Sequence, residues 1–355
     1  MSNEIPHPEL LEIAIRVGTR MSEIYLKEGD YRPNESWGAE GQIYPSLTGI
    51  ALLLLYKKTG NALFLKGAKS IVDSNFKKQF DSGGWPLNLG VNSIGTCFTT
   101  SDKIKFLSTK HEDLPSTLTA LRLASEYQVI SGDNQFEIQI RKGFDFILLH
   151  WDKEQGYFQD MMPKELLSLR ARPKDYHIFA FQAIVSLSKI YKDANEYIKP
   201  LYNSVVENFL DMPIETYPLL MGMHVHVLLS EETRGSYVSE VIKTRINGNY
   251  GLNSPFLLSN HPGALGHMDG LRGLTLTEGH LRNSVGLAMA LSKYDLVNNE
   301  RSYIDSTLYC QLKKWILSMY SSNLFYEYLD LNLNQKKGTG SSAQYLPIFW
   351  ILGEF

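Results

Sequence analysis

The densest group of side chains able to do chemistry lies between residues 260 and 282, in a stretch rich in glycine and histidine. Imidazole transfers protons near neutral pH, and a guanidinium group holds a carboxylate through two parallel hydrogen bonds. Together such groups can bind an anionic sugar and move a proton on it. The alternative is a surface loop whose histidines cap helices. The candidates are His267 and Asp269 as catalytic residues and His261, Arg272 and Arg282 as substrate-binding residues, in a stretch that also holds Glu278 and His280.

Glu327 is a second candidate acid, in the run Phe325-Tyr326-Glu327-Tyr328. Desolvation by aromatic rings favours the protonated form of a carboxyl group, which suits general acid–base catalysis. An exposed glutamate on an amphipathic turn is the alternative. We predict Glu327 as a catalytic residue and Tyr326 as a substrate-binding residue.

Four further candidates stand at predicted helix starts or in aromatic turns. Asp113 precedes one helix and His177 opens another, so each is either a helix cap or a member of the site. Trp37 and Trp85 can stack on a sugar ring or on a developing carbocation, or can pack one helix on the next. Asp113 is predicted to be catalytic, and His177, Trp37 and Trp85 are predicted to bind substrate.

The histidine pair His224 and His226 is a candidate metal site. In a strand both side chains would face one side, whereas in a helix they would diverge by about 200°. The sequence from 219 to 229 allows either, and no third ligand lies nearby in the sequence. We therefore predict core histidines, no metal site and no cofactor.

The elements that position these residues are helical. Leu47, Ile50, Ala51, Leu54 and Leu55 have the spacing of one helical face. Further helices are predicted at 62–76, 116–129, 136–150, 176–191, 196–210, 281–294 and 303–320. Turns rich in glycine, asparagine and aromatic residues recur at 83–86, 156–158, 249–251 and 323–326, with short strands beside them.

Such repetition predicts stacked helical hairpins that close into a ring. The predicted fold is all-α, an (α/α)n toroid around a central cavity, formed by residues 1–355 as a single domain. The polar stretches 87–113 and 247–277 are predicted to be ordered loops over one mouth of the ring.

Composition excludes several classes of partner. The net charge is −3, so a nucleic-acid surface is not expected. The apolar run at 50–56 is too short to span a bilayer, and the N-terminal residues do not read as a secretion signal. Two cysteines, Cys97 and Cys310, make no disulfide framework. We predict a cytoplasmic monomer or weak oligomer.

Several motifs carry a resemblance to known enzymes. The stretch 46–51 followed by 56–61 resembles the hairpin start of α/α-toroid enzymes, and 140–148 with 155–158 is similar to the repeat of toroid polysaccharide lyases and terpenoid cyclases. The stretch 325–328, with 338–340 and 349–350, resembles the last hairpin of (α/α)6 glycoside hydrolases. That resemblance implies a catalytic base at Glu327. The Asp-x-Asp-Asp acid of class II terpenoid cyclases does not occur here.

Three functions follow. The first is an intracellular carbohydrate-active enzyme, a hydrolase, lyase or epimerase acting by acid–base catalysis on a small sugar or oligosaccharide that can contain a uronate. The second is a terpenoid or prenyl cyclase with a closed aromatic pocket. The third is a toroid that binds a peptide or partner without catalysis, and it predicts an exposed apolar patch.

Overall fold

The computed structural model describes residues 8–29, 31, 42–87, 106–160, 176–212, 218–231, 237–248, 251–269 and 273–355, without the side chains of 231, 268, 269, 274 and 275. These residues form two compact units. The first unit is Gly18–Asn208, and the second unit comprises Phe209–Phe355 with the described part of Met1–Val17. The prediction of a single domain over 1–355 stays a prediction.

The first unit is built from helices that turn back on one another. They are the end of α1 (Pro8–Glu28), α2 (Ile43–Thr59), α3 (Ala62–Phe76), α4 (Leu114–Ser131), α5 (Glu137–Leu148), α6 (His177–Leu187) and most of α7 (Asn195–Leu210), with a short 3₁₀ helix at Lys192–Ala194. A two-stranded hairpin joins β1 (Trp151–Asp152) to β2 (Tyr157–Phe158), in the register Trp151↔Phe158.

The second unit holds the other helices and strands of the described residues. Its helices are α8 (Pro218–Glu231), α9 (Tyr237–Asn247), α10 (Leu281–Asn298), α11 (Thr307–Ser318) and α12 (Ser341–Leu352). Its strands are β3 (His267–Asp269), β4 (Gly273–Thr275), β5 (Glu278–His280), β6 (Tyr320–Ser321), β7 (Leu324–Phe325), β8 (Tyr328–Asp330) and β9 (Gln335–Lys337). All pairings are antiparallel: β3 with β4, β6 with β7, and β8 between β5 and β9.

Local sequence explains where the helices begin and end. The Asn61 side chain accepts a hydrogen bond from the Leu63 amide and caps α3, just after Gly60 ends α2 at φ +70°. Ser306 caps α11 in the same way as Asn61 caps α3. A capping oxygen satisfies an amide that lacks a partner in the helix, and glycine takes the left-handed conformation without steric cost. Residues 60–61 and 306 therefore fix the starts and ends that the hairpins need.

Within each unit, helices buried on most sides alternate with amphipathic ones. Most residues of α2, α4, α6, α10 and α12 are buried, whereas α3, α5, α9 and α11 bury a stripe. A helix that is apolar all round belongs in the interior, and an amphipathic helix covers it.

Helices α8 and α10 approach each other more closely than side chains normally allow. A β-carbon added to Gly222 would overlap the carbonyl oxygen of Gly286, and one added to Gly286 would overlap the backbone of Leu219. Two glycines therefore set the distance between these helices. Because α10 follows directly from β5, this contact also fixes the place where β5 ends.

The predicted helices are confirmed, with ends that differ by a few residues. The predicted 303–320 helix is shorter, since Thr307–Ser318 is helical and Tyr320–Ser321 is a strand. The pair His224 and His226 lies in α8, so the strand interpretation of that segment is wrong. The predicted loop 247–277 contains strands β3 and β4 in its described part.

Candidate active site

The strand β5 carries an acid and an imidazole on one face. Successive strand side chains alternate, so Glu278 and His280, two residues apart, point the same way. The Oε2 atom of Glu278 lies 3.0 Å from Nε2 of His280. His280 pairs with Tyr328 across to β8, and their rings stack at 5.5 Å. His280 also stands immediately before α10, so the strand-to-helix junction holds its backbone.

A second imidazole and a guanidinium group complete what we call the imidazole cluster, which consists of His267, Glu278, His280 and Arg282. The ring centroids of His267 and His280 are 4.7 Å apart. Nη2 of Arg282 lies 2.9 Å from Nε2 and 3.2 Å from Nδ1 of His267. Both histidines are buried, with 3% and 1% of their surface exposed.

Burial keeps both imidazoles neutral. Desolvation, and then the charge of Arg282 and the neighbouring His280, hold the pKa of His267 well below its usual range. The pKa of His280 is lowered to about 4, because desolvation and the Arg282 charge outweigh the Glu278 carboxylate that raises it. Two neutral imidazoles near pH 7 can each accept a proton.

Hydrogen-bond chemistry fixes the tautomer of His280. An ionised carboxylate can only accept a hydrogen bond, so the 3.0 Å contact places the proton of His280 on Nε2. A neutral imidazole carries one proton, and the basic lone pair of His280 is then on Nδ1. An arginine can only donate, so His267 must present an acceptor nitrogen to Arg282.

The backbone of Glu327 contacts Leu281, the residue between His280 and Arg282 of the imidazole cluster. Its carbonyl oxygen accepts a hydrogen bond from the Leu281 amide at 2.9 Å, which places its backbone next to the start of α10. Its side chain is buried, and Oε1 accepts a hydrogen bond from Ser342 Oγ at 2.8 Å. Tyr326 is half-buried in the preceding turn. The predicted acid is therefore an interior carboxylate in the second unit and not a surface residue.

Other predicted members of the site fall outside the cluster or outside the described residues. His261 is half-buried in a turn, where its backbone amide bonds to Leu258. Asp269 ends β3 opposite Gly273, but its side chain is outside the described part of the chain. Arg272 and Trp37 lie outside the described residues. Their proposed roles stay predictions.

Three candidates belong to the first unit, where each has a structural partner. Asp113 is fully buried and caps α4 by accepting a hydrogen bond from the Ser116 amide at 2.8 Å. Trp85 is fully buried, and its indole N–H donates to the Asn75 carbonyl at 2.8 Å. These contacts describe a helix cap and a packing residue.

His177, the third of these candidates, opens α6. Its Nδ1 lies 2.7 Å from Ser204 Oγ, and its ring stacks on Tyr157 at 4.6 Å. The Ser204 hydroxyl and the Tyr157 ring therefore orient this imidazole.

The histidine pair of α8 is a pair of core residues. Nδ1 of His224 lies 2.8 Å from the Leu220 carbonyl oxygen, and Nε2 of His226 lies 3.0 Å from the Gly353 carbonyl oxygen. Within the described ranges, no three His, Cys, Asp or Glu side chains come together as metal ligands.

Among the described residues, none of the helices combines the length and apolar character that crossing a bilayer demands.

The sequence does not single out two members of the imidazole cluster as site residues. Glu278 and His280 lie next to the histidine-rich stretch, and nothing in the sequence marks Glu278–His280 as a strand. Their spacing of two residues was the available signal, since it places two side chains together only in a strand. Ser342 and Tyr328, which contact Glu327 and His280, carry no recognisable sequence signal.

Comparison with known proteins places the fold. No family model matches the chain, and no curated protein matches its sequence. Solved structures do match. A D-mannose isomerase is 10% identical with a TM-score of 0.67, covering 94% of this chain and 96% of its own. The cellobiose 2-epimerase of Spirochaeta thermophila DSM 6192 is 11% identical with a TM-score of 0.62, covering 98% and 97%.

A third match is an α-1,6-mannanase from Salegentibacter sp. HEL1_6, at 12% identity and a TM-score of 0.56, covering 97% of this chain and 98% of its own. Identities this low show the fold alone. The fold is an all-α toroid of helical hairpins with few short strands, as the sequence predicted. The resemblance to toroid enzymes is confirmed for the fold.

Proposed function

We propose that this protein is a carbohydrate-processing enzyme that isomerises or epimerises a reducing sugar by moving a proton next to its carbonyl group. The observation that carries the proposal is the pair of buried neutral imidazoles 4.7 Å apart with a guanidinium group beside them. The names of the isomerase and the epimerase that share the fold support the same class of substrate.

The proposed reaction uses the cluster as follows. One imidazole removes the proton from the carbon beside the carbonyl, and the C–H electron pair moves to form a carbon–carbon double bond while the carbonyl oxygen becomes negative. For the isomer, the former carbonyl carbon takes up a proton, the negative oxygen takes up the hydroxyl proton of the adjacent carbon, and the carbonyl group forms at that adjacent carbon. For the epimer, the carbon that lost its proton takes one up on the opposite face, and the original carbonyl group forms again. The His280 base is Nδ1, because Glu278 holds the proton on Nε2.

Arg282 is suited to stabilise the negative oxygen of the intermediate. Charge that develops in a site sheltered from water is stabilised strongly by a fixed cation. Arg282 is half-buried, and its Nη2 makes the contact with His267. A guanidinium group carries five N–H donors in a planar fork, so one group can donate to more than one acceptor.

The test is hydrogen exchange at the sugar itself. The purified protein is incubated in D₂O with D-mannose, D-glucose, cellobiose and D-glucuronate, and NMR follows deuterium at the carbon beside the carbonyl. His280→Gln and His267→Gln are expected to slow exchange by about 100-fold or more. His111→Gln is the control, because His111 lies in the first unit outside the cluster. Equal exchange in all four proteins would refute the proposal.

Glu327 favours a second candidate, glycoside hydrolysis. Its side chain is buried, and its backbone adjoins the start of α10, where the carbonyl oxygen of Glu327 accepts a hydrogen bond from the Leu281 amide. Glu278 offers a second carboxylate in this unit. Hydrolysis needs two carboxyl groups on either side of the scissile bond. Release of new reducing ends from an α-1,6-mannan, abolished in Glu327→Gln but retained in His280→Gln, would establish hydrolysis and exclude isomerisation as the main activity.

The remaining expectations are part of the same proposal. A small sugar or oligosaccharide is the proposed partner, without nucleic acid or membrane. A cytoplasmic location and a monomeric or weakly oligomeric state complete it. Size-exclusion chromatography coupled to light scattering measures the oligomeric state directly.

A further inference from the structure

Two polar side chains in the first unit are buried with unmet hydrogen-bonding capacity. Gln42, the residue before α2, is fully buried, and within the described part of the chain neither its amide oxygen nor its amide nitrogen has a hydrogen-bond partner. Ser116, in the first turn of α4, is also fully buried, and its hydroxyl forms a hydrogen bond with none of the described residues. Buried polar atoms are nearly always hydrogen-bonded, and an exception calls for an explanation.

The starts of α2 and α4 lie side by side. Ser46 in α2 accepts a hydrogen bond from the Asn75 side chain at 2.9 Å. The Asn75 carbonyl accepts one from the Trp85 indole at 2.8 Å, and the Trp85 amide donates to Thr117 in α4 at 2.9 Å. This chain of bonds links the first turns of the two helices. The helices run parallel, because they also meet further along, at Gly49 of α2 and Leu123 of α4.

The helical register then places Gln42 opposite Ser116. Helices α2 and α4 touch where a β-carbon on Gly49 would lie 2.7 Å from the Leu123 side chain. Gln42 and Ser116 each stand seven residues before those contact positions. Seven residues are about two helical turns, so both side chains return to the facing sides of their helices at the same level.

A third helix starts at this level. Arg122 in α4 bonds Gln182 in α6 at 2.7 Å, and Glu126 bonds Ser186 at 2.7 Å, each across 60 residues. Tyr176, the half-buried aromatic residue just before α6, also lies 60 residues after Ser116. Tyr176 and Ser116 are therefore at the same level along the two helices. The starts of α2, α4 and α6 therefore form one row, the Gln42–Ser116–Tyr176 row.

We propose that the Gln42–Ser116–Tyr176 row is a binding subsite for the hydroxyl groups of a carbohydrate. The ligand class rests on the function proposed above, and the subsite itself rests on the unpartnered atoms. An amide offers a donor and an acceptor, and a hydroxyl offers either, which matches adjacent sugar hydroxyls. The three side chains are neutral and therefore favour a neutral polyol over an ion. The neighbouring Asp113 carboxylate already accepts a hydrogen bond from the Ser116 backbone amide.

The experiment compares two serines of one helix. Ser125 also lies in α4, fully buried and with an unpartnered hydroxyl, so Ser125→Ala is the matched control for Ser116→Ala. Binding of D-mannose and cellobiose to the full-length protein is measured by calorimetry. Ser116→Ala and Gln42→Leu are expected to weaken binding by about 10-fold or more, while Ser125→Ala binds like the wild type.

Thermal unfolding of the unliganded proteins supplies the second readout. Removing an unsatisfied buried hydroxyl is expected to leave the melting temperature unchanged or raise it in both serine variants, so lost binding cannot be ascribed to unfolding. Unchanged binding in Ser116→Ala and Gln42→Leu overturns the subsite and leaves the imidazole cluster untouched. A wild type that binds neither sugar overturns the subsite and the proposed function together. A crystal soaked in the sugar that shows only a water between Gln42 and Ser116 overturns the subsite.

Discussion

Nη2 of Arg282 lies 2.9 Å from Nε2 of His267 and 3.2 Å from its Nδ1. A guanidinium group has no lone pair to offer, so this contact forms only with an imidazole that keeps an acceptor nitrogen. Protonation of His267 would place two cations in contact inside the protein. The arginine therefore acts on the histidine before any substrate arrives, by holding it in the basic form.

Replacing Glu278 by Gln is expected to change the tautomer of His280. The carboxylate requires a proton on Nε2, whereas an amide can accept from or donate to that nitrogen. Long-range ¹H–¹⁵N NMR of histidine-labelled protein reports which ring nitrogen carries the proton. We expect one tautomer in the wild type, a mixture or the reverse in Glu278→Gln, and a fall in kcat of about 10- to 100-fold with a smaller change in KM.

Glu207→Gln is the control for that measurement, because Glu207 is exposed on α7. Glu278→Asp keeps the charge and is expected to retain the Nε2–H tautomer. An Nδ1–H tautomer of His280 in the wild type would contradict the assignment, whatever the activity.

Stability is expected to fall as the pH drops from 7 to 4.5. The pKa of His280 is about 4 in the folded protein and about 6.5 in an unfolded chain. Between these values the unfolded chain binds the extra proton and the folded protein does not, so the free energy of unfolding rises with pH across this window. The buried His280 contributes a difference on the order of 2 to 3 kcal/mol, and His267 acts in the same direction.

Urea denaturation at pH 7 and pH 4.5 measures that difference. In His280→Gln the titrating group is gone, and the loss of stability on acidification should be smaller than in the wild type. The same loss in both proteins would show that other groups, such as the carboxylates, account for it.

Asp113 is expected to matter for stability more than for turnover. Asp113→Ala removes the acceptor for the Ser116 amide, which costs about 0.5–2 kcal/mol for a helix cap. Asp113→Asn keeps a capping oxygen and should remain close to wild type in stability and sugar exchange. Loss of exchange in a stable Asp113→Asn protein would instead make this carboxylate catalytic, as the sequence predicted.

Gly222→Ala is expected to force α8 and α10 apart. The added methyl group would overlap the backbone of Gly286, and backbone cannot move aside as a flexible side chain can. Overpacking of this kind costs about 1–3 kcal/mol or more, to be measured by chemical denaturation. At Gly248, where the nearest atom to an added β-carbon would be 3.2 Å away, the same substitution should cost much less.

The helices were predictable because their apolar residues repeat with the helical period, as Leu47, Ile50 and Leu54 do in α2. The short strands of the site were not. Three residues such as Glu278–His280 carry too little alternation to mark a strand, and β5 exists because His280 bonds to Leu265 and pairs with Tyr328. Such partners, distant in sequence, determine which side chains meet.

The candidates in the first unit also have partners that their local sequence does not reveal. Asp113 and Trp85 are candidates because of their chemistry, yet their partners in the structure are the Ser116 amide and the Asn75 carbonyl. Gln42 had no motif to mark it, because an unsatisfied amide is visible only when its surroundings are known. Residue type therefore indicates which side chains are able to do chemistry. Tertiary contacts determine which of those side chains meet in a site and which cap or pack a helix.

The junction of β5 and α10 places a carboxylate, an imidazole and a guanidinium group within five consecutive residues, Glu278–Arg282. Inserting one residue into the strand would turn its side chains to the opposite face, and one residue at the helix start would rotate Arg282 by about 100°. Length is consequently the property of this segment that natural variation can least alter. Directed-evolution libraries for new sugar specificity should vary side chains here and reserve insertions and deletions for exposed turns.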